Sequence, residues 1–202
     1  MGMRKDDSGQ MHTLEGIMGA IVMIMVMVFV VQGTSITPLS SSSTNQHVQL
    51  ELLNMGQDIL TTLDYTDNPN AKSDLKKSIV TWNGMEYVWD GKRYVDVVKE
   101  DGSTVILDNE LTRTLNFTLN SWGIAHNIEI TYIDPYGNAT SKKIIWNGNP
   151  SDNSISTSKV IALHNTDLAA SPNFGIMTGI RDVDPSTDFY NLIDIKLTLW
   201  RM

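Results

Sequence analysis

The chain of 202 residues fits one ordinary domain with an appendage rather than two full domains. Its 15 Lys and Arg against 23 Asp and Glu give a formal net charge of −8. This balance argues against nucleic acid as a partner, because a DNA or RNA binder needs a clustered basic surface. Cysteine is absent, which excludes disulfides, thiolate-bound zinc, iron–sulfur clusters and thiol nucleophiles.

The most distinctive segment is an apolar run at residues 17–31, which carries no charged side chain. As a helix rising about 1.5 Å per residue, this run spans about 22 Å. Extension to residues 11–32 gives about 33 Å, which is enough to cross a bilayer core of about 30 Å. Because Arg4 and Lys5 precede the run, the positive-inside rule places the N-terminus in the cytoplasm and the rest of the chain outside.

Three interpretations of this segment are open. A cleaved secretory signal peptide and a plain signal anchor both fit the basic start and the length of the run. The third is a pilin-type leader, in which a short polar head is removed on the cytoplasmic side and the apolar helix is retained. This interpretation best explains why Gly9, Gln10 and Glu15 stand directly before the run. We therefore expect a cytoplasmic leader over 1–9 and a transmembrane or assembly helix over 10–33.

A Ser- and Thr-rich linker follows at 34–46, and we expect the extracellular domain over 47–202. The domain begins with a pattern typical of an amphipathic helix over 47–63. The apolar residues of this pattern recur at steps of three and four: Val48, Leu52, Met55, Ile59 and Leu63. Gly56, in the middle of the pattern, either lowers helix stability by about 1 kcal/mol or marks a close contact.

Strand patterns separated by turn residues dominate the region 78–200. We expect strands at 78–82, 86–89, 93–98, 104–107, 115–119, 127–133, 142–146, 159–163 and 192–199. Asn-Gly or Asp-Gly pairs, which are strong hairpin signals, begin at Asn83, Asp90 and Asp101. The sequence therefore predicts an α+β fold, in which an N-terminal transmembrane helix and a short amphipathic helix precede an antiparallel, sandwich-like outer domain.

A resemblance to a known family lies at the N-terminus. Residues 9–16, Gly-Gln-Met-His-Thr-Leu-Glu-Gly, precede a segment rich in methionine and valine. This arrangement resembles the leader and hydrophobic helix of archaeal type IV pilin-like proteins. The stretch 36–47 is similar to the corresponding part of small surface proteins in haloarchaea and methanogens. The resemblance covers roughly residues 8–60, and the β-rich region carries none.

The resemblance implies processing by a membrane prepilin-type peptidase. Such prepilins are cut just before the apolar helix, so the bond between Gly9 and Gln10 is the candidate, with the bond before Met11 as the alternative. In this subclass a Glu is the fifth residue of the mature chain; Glu15 is fifth after a cut before Met11 and sixth after a cut before Gln10. The implied role of Glu15 is to meet the N-terminal amine of a neighbouring subunit, and such a pair specifies register more than it stabilises.

No pattern in the sequence indicates a catalytic, cofactor or metal site. The four histidines lack ligand spacing, and the acidic stretch 182–188 lacks the Gly and Glu of a calcium loop. A nucleophile elbow, a phosphate loop and dinucleotide glycines are all missing. We therefore expect neither enzymatic activity nor a cofactor. Two tripeptides, which begin at Asn116 and Asn138, fit N-glycosylation of an extracellular domain.

The leading hypothesis is a membrane-anchored pilin-like structural subunit, a minor one, of an archaeal type IV pilus-like surface filament. Its expected partners are the membrane, the prepilin-type peptidase and other pilin-like subunits. The alternative is a membrane-tethered extracellular binding or adhesion module that does not polymerise. All five tryptophans lie in the β-rich region; they could form a carbohydrate or adhesin surface, although we expect them mainly in the core.

Overall fold

The computed structural model describes residues 16–24, 27, 43–68, 71–97 and 104–201. The chain divides into two compact units, Met1–Ser42 and Ser43–Met202. In the first unit, residues 16–24 and 27 are helical and their side chains are exposed.

The described residues contain no helix of the length and apolar character that crossing a bilayer requires. The predicted fold class included an N-terminal transmembrane helix over 10–33. That part of the prediction is wrong for residues 16–24 and 27, which the structure describes. The remaining residues of 10–33 lie outside the described residues.

The second unit combines helices with one β-sheet. Its helices are α1 (Ser43–Asp64), α2 (Asp74–Val80), α3 (Glu110–Thr118) and α4 (Phe174–Thr178), with 3-10 turns at Asn120–Trp122 and Asn165–Leu168. Its strands are β1 (Tyr87–Trp89), β2 (Tyr94–Asp96), β3 (Ile106–Leu107), β4 (Ile124–Ile133), β5 (Ala139–Trp146), β6 (Ile155–His164) and β7 (Phe189–Arg201). The segments expected at 127–133, 142–146, 159–163 and 192–199 lie within β4 to β7, which are all longer than expected.

The described strands form a single seven-stranded mixed sheet with the order β3-β2-β1-β5-β4-β7-β6. The pair β1 and β5 is parallel, with Tyr87 opposite Ile145, and the other neighbours are antiparallel. The predicted antiparallel sandwich is therefore wrong. Helices cover the sheet instead of a second sheet: α1 packs against β6 and β7, and α2 and α3 pack against α1.

The segment 78–82, which we expected to be a strand, belongs mostly to helix α2. The side chain of Ser73 caps this helix by accepting a hydrogen bond from the backbone amide of Lys76 at 3.2 Å. Leu75 and Ile79 lie one turn apart and are fully buried. The cap and the burial of both side chains outweigh the strand preference of the β-branched residues.

The segment 115–119 is also helical rather than extended. Helix α3 begins after Asn109, which forms a capping box with Thr112. The Asn109 side chain accepts from the Thr112 amide at 3.0 Å, and the Thr112 hydroxyl oxygen accepts from the Asn109 amide at 3.0 Å. Leu111 and Leu115, four residues apart, then face the core. With these two segments helical, the seven strands of the described residues all belong to one sheet.

Helix α1 contains the helix expected over 47–63 and begins four residues before it. Its buried residues include Leu52, Ile59, Leu60 and Leu63. Gly56 marks a close contact, because a Cβ there would lie 2.8 Å from the Thr157 side chain and 3.2 Å from that of Leu199. The helix therefore lies directly on β6 and β7.

Strands β1, β2 and β3 form an antiparallel meander. The sequence predicted one more strand before them, at 78–82, and that segment is mostly helical. The turn at Asp90 is present: its backbone amide donates to the Arg93 carbonyl oxygen at 3.1 Å, and Gly91 has φ of +98°. The turn expected at Asp101 lies outside the described residues.

Candidate functional site

The residues that carry the pilin-like resemblance lie outside the described residues. These are the processing positions Gly9, Gln10 and Met11 and the assembly position Glu15. The two candidate glycosylation positions, Asn116 and Asn138, are described and are both exposed.

Asn138 lies at the tip of the β4–β5 hairpin, directly before the first residue of β5. Its backbone amide donates to Asp134 Oδ1 at 2.8 Å and its side-chain amide to Asp134 Oδ2 at 3.2 Å. These and neighbouring amide hydrogen bonds lower the pKa of Asp134. Asn138 is exposed in this turn, and its tripeptide continues into the start of β5.

Asn116 lies on α3, where its tripeptide is locked in helical geometry. The hydroxyl of Thr118, the third residue of the tripeptide, donates to the Thr114 carbonyl oxygen at 2.6 Å. Glycan transfer needs both the amide and this hydroxyl to enter an enzyme site. The helix therefore has to unwind locally before Asn116 could react.

We expect a host that N-glycosylates this domain to modify Asn138 and to leave Asn116 free. Peptide mass mapping of the native protein checks this. The variant Asn138→Gln should lose the glycan, and the matched variant Asn116→Gln should keep it. An occupied Asn116 would show that modification precedes folding of α3.

A cleft lies where the β1–β2 hairpin meets β3 and α3, and we call it the Trp89 cleft. It has a volume of about 270 Å³. Its lining includes Trp89, Arg93, Tyr94, Asp108, Arg113 and Asn116. The Trp89 ring lies against that of Tyr94, with 5.0 Å between centroids and 54° between planes.

A chain of hydrogen bonds fixes the base of the Trp89 cleft. Asn120 Nδ2 donates to the Tyr94 hydroxyl at 3.0 Å, and that hydroxyl lies 2.9 Å from His126 Nε2. His126 is fully buried, which lowers its pKa from 6.5 to about 4, so its ring is neutral at pH 7. His126 Nδ1 lies 3.4 Å from the Ile124 carbonyl oxygen, which favours a proton on Nδ1 and makes Nε2 the acceptor of the Tyr94 proton.

Trp89 also lines a second hollow of about 200 Å³, bordered by Asn120, Gly123 and Asn147. Asn147 holds the backbone at Trp89: its Oδ1 accepts from the Trp89 backbone amide at 2.8 Å, and its Nδ2 donates to the His126 carbonyl oxygen at 2.6 Å. The indole therefore lies between two hollows on a fixed backbone.

The two arginines at the Trp89 cleft are paired with carboxylates. Arg113 contacts Asp108 at 2.9 Å and Glu110 at 2.6 Å, and Arg93 lies 3.7 Å from Asp90. The hydrogen bond from Arg113 and its charge lower the pKa of the Asp108 carboxyl. These exposed pairs add little stability but hold the side chains around the cleft in defined positions.

The remaining tryptophans have other surroundings. Trp82 and Trp200 are buried, in line with a core role, whereas Trp122 is 71% exposed. Trp146 is half-buried beneath the ammonium group of Lys143, which lies 3.6 Å from the ring centroid. Across the part of the chain that the structure describes, no group of three or more His, Asp or Glu side chains could hold a metal ion.

Sequence reasoning did not predict the Trp89 cleft. Its residues come from the β1–β2 hairpin, β3 and α3; the sequence predicted the three strands but expected a strand at 115–119, where α3 lies. The buried Tyr94–His126 contact joins residues 32 positions apart, which no local pattern reveals.

One comparison with known proteins gives a match. The model of a family described as a family of unknown function, DUF7288, matches residues 8–199. No curated protein matches the chain, and no solved structure does.

Proposed function

We propose that the protein is a pilin-like structural subunit of a cell-surface filament, anchored through its apolar N-terminal segment. The chain belongs to DUF7288, a family of unknown function, so the proposal is based on the residues of the chain itself. The observation that carries this proposal is the exposure of apolar side chains in the first unit. Ile17, Met18, Met23, Ile24 and Met27 are each more than half exposed.

An exposed apolar helix in water is unfavourable, since each Å² of uncovered apolar surface costs about 25 cal/mol. Such a patch marks an interaction site with lipid or with another protein. A pilin-like subunit would use both, first the membrane and then the apolar segments of neighbouring subunits. The second unit suits this role, because α1 follows the apolar segment in sequence and is held firmly on β6 and β7 through Gly56.

The proposal is tested by the intact mass and N-terminal sequence of the protein from its host's membranes and from a sheared surface fraction. We expect a mature chain that begins at Gln10 or Met11 and is present in the sheared fraction. A chain that begins at Met1 or near Thr34 in both fractions would contradict the proposal.

A matched pair of variants separates processing from assembly. Glu15→Ala should be cleaved normally but lost from the sheared fraction, because the neighbouring subunit's amine loses its partner. Asp58→Ala removes an exposed carboxylate of α1 and should be recovered in the sheared fraction like the natural chain. Equal recovery of both variants would refute the role of Glu15.

The second candidate function is a membrane-tethered binding module that does not polymerise. The Trp89 cleft favours it, because a concave site with an aromatic wall and several polar groups is typical of ligand binding. An uncut chain that is absent from the sheared fraction and is stabilised by a bound ligand would select this function.

A further inference from the structure

The Trp89 ring has the setting of a stacking platform. The ring is partly exposed and lines hollows of about 270 and 200 Å³, and the hydrogen bond from the Trp89 backbone amide to Asn147 Oδ1 holds the main chain that carries it. The ring of Tyr94, which is 2% exposed, supports it from below. A flat apolar ring that is held in place loses little conformational entropy when a ligand stacks on it.

Polar groups surround this platform. Asn116 lies at the rim of the Trp89 cleft, and its Oδ1 accepts a long hydrogen bond of 3.4 Å from Asn120. Among the described residues, the Asn116 Nδ2 group and the Lys92 ammonium group have no hydrogen-bonded partner. The rim therefore offers donors and acceptors that a ligand could use without breaking a strong internal bond.

The two arginines of the cleft are already paired. Arg93 and Arg113 line it together with Lys92 and Asp108, and the carboxylates of Asp90, Asp108 and Glu110 contact the two arginines. Both arginines already contact carboxylates, so an anion would have to displace those partners. A neutral ligand with many hydroxyl groups can bind without that cost.

A pyranose sugar has the matching chemistry, because one face of its ring presents C–H groups and its rim presents hydroxyls. We propose that the Trp89 cleft is a saccharide-binding site, in which the C–H face of a neutral sugar stacks on Trp89 and its hydroxyls bond to Asn116 and the polar rim. This goes beyond the filament role and does not depend on processing of the N-terminal segment.

The test uses the full chain in mild detergent and four neutral probes: methyl α-mannopyranoside, methyl β-glucopyranoside, methyl β-galactopyranoside and N-acetylglucosamine. Saturation-transfer NMR reports which sugar protons contact the protein, and tryptophan fluorescence gives the affinity. We expect transfer to the ring C–H protons of at least one probe. Trp89→Ala should weaken its binding about tenfold or more, as for removal of a central aromatic anchor.

Two further variants keep the test decisive if Trp89→Ala perturbs the domain. Asn116→Trp places bulk at the exposed rim and should block binding while the fold is kept. Trp122→Ala removes an exposed tryptophan that does not line the cleft and should bind as the natural chain does. The proposal is overturned if no probe shows transfer, if Asn116→Trp binds normally, or if inorganic phosphate displaces the sugar.

Discussion

The variant Gly84→Ala should destabilise the second unit far more than Gly91→Ala. Both glycines have positive φ, +83° and +98°, so both substitutions carry the backbone strain of an L-residue, about 1 kcal/mol. The surroundings differ. A Cβ at Gly84 would overlap the carbonyl oxygen of Met177 and lie 3.0 Å from the Cα of Thr178, whereas a Cβ at Gly91 meets nothing within 4 Å.

The overlap at Gly84 involves backbone atoms of α4, which cannot rotate away as a side-chain tip can. We therefore expect Gly84→Ala to cost about 3 kcal/mol or more and Gly91→Ala about 1 kcal/mol. Urea unfolding followed by tryptophan fluorescence measures both, since all five tryptophans lie in the second unit. Equal costs for the two variants would mean that α4 moves freely and does not contribute to the packing of Gly84.

The contrast between these glycines shows what the sequence could reveal about the fold. The Asp90-Gly91 pair forms a hairpin turn, and local turn chemistry predicted it. The Asn83-Gly84 pair carries the same local signal but connects α2 to β1, where Gly84 is needed for a close approach of α4. A local pattern cannot distinguish these roles, because the contacting segment lies more than 90 positions later.

The long segments and the short strands β1 to β3 were predictable from the sequence, whereas the short helices α2 and α3 were not. Strands β4 to β7 are 8 to 13 residues long, and the 22-residue α1 buries one side over several turns, so their patterns are strong. Helices α2 and α3 have seven and nine residues. In such short elements, the caps at Ser73 and Asn109 and the burial of a few leucines decide the conformation.

The candidate site was less predictable than the fold. The Trp89 cleft depends on the parallel pairing of β1 with β5 and on the position of α3, and neither has a sequence signal of its own. The sequence shows that all five tryptophans lie in the β-rich region, but only the structure shows that Trp82 is buried in the core and that Trp89 lines a cleft.

Mild acid should destabilise the second unit through protonation of the buried His126. Burial lowers the pKa of His126 from 6.5 to about 4, so the unfolded chain binds a proton at this residue more readily than the folded chain. Stability from His126 is therefore complete above pH 6.5 and falls as the pH drops towards 4. The full loss is about 3 kcal/mol, with a slope of up to about 1.4 kcal/mol per pH unit.

Urea unfolding at several pH values between 7 and 4 measures this slope in the natural chain and in two variants. His126→Gln should lower stability at pH 7 through lost packing but should flatten the slope. Tyr94→Phe removes the hydroxyl that contacts His126 Nε2 and should cost about 1 kcal/mol at every pH. It should keep the slope, because burial rather than this hydrogen bond causes the pKa shift of His126.

A slope between pH 6.5 and 4 that persists in His126→Gln would contradict the assignment to His126. The carboxyl of Asp167 acts at lower pH: burial alone would raise its pKa, but hydrogen bonds from Lys76 and from the His164 amide outweigh burial and lower it. A lowered pKa places the loss of stability below the ordinary Asp value of 3.8. The interval from pH 6.5 to 4 therefore reports on His126, and acid unfolding below it reports on carboxylates such as Asp167.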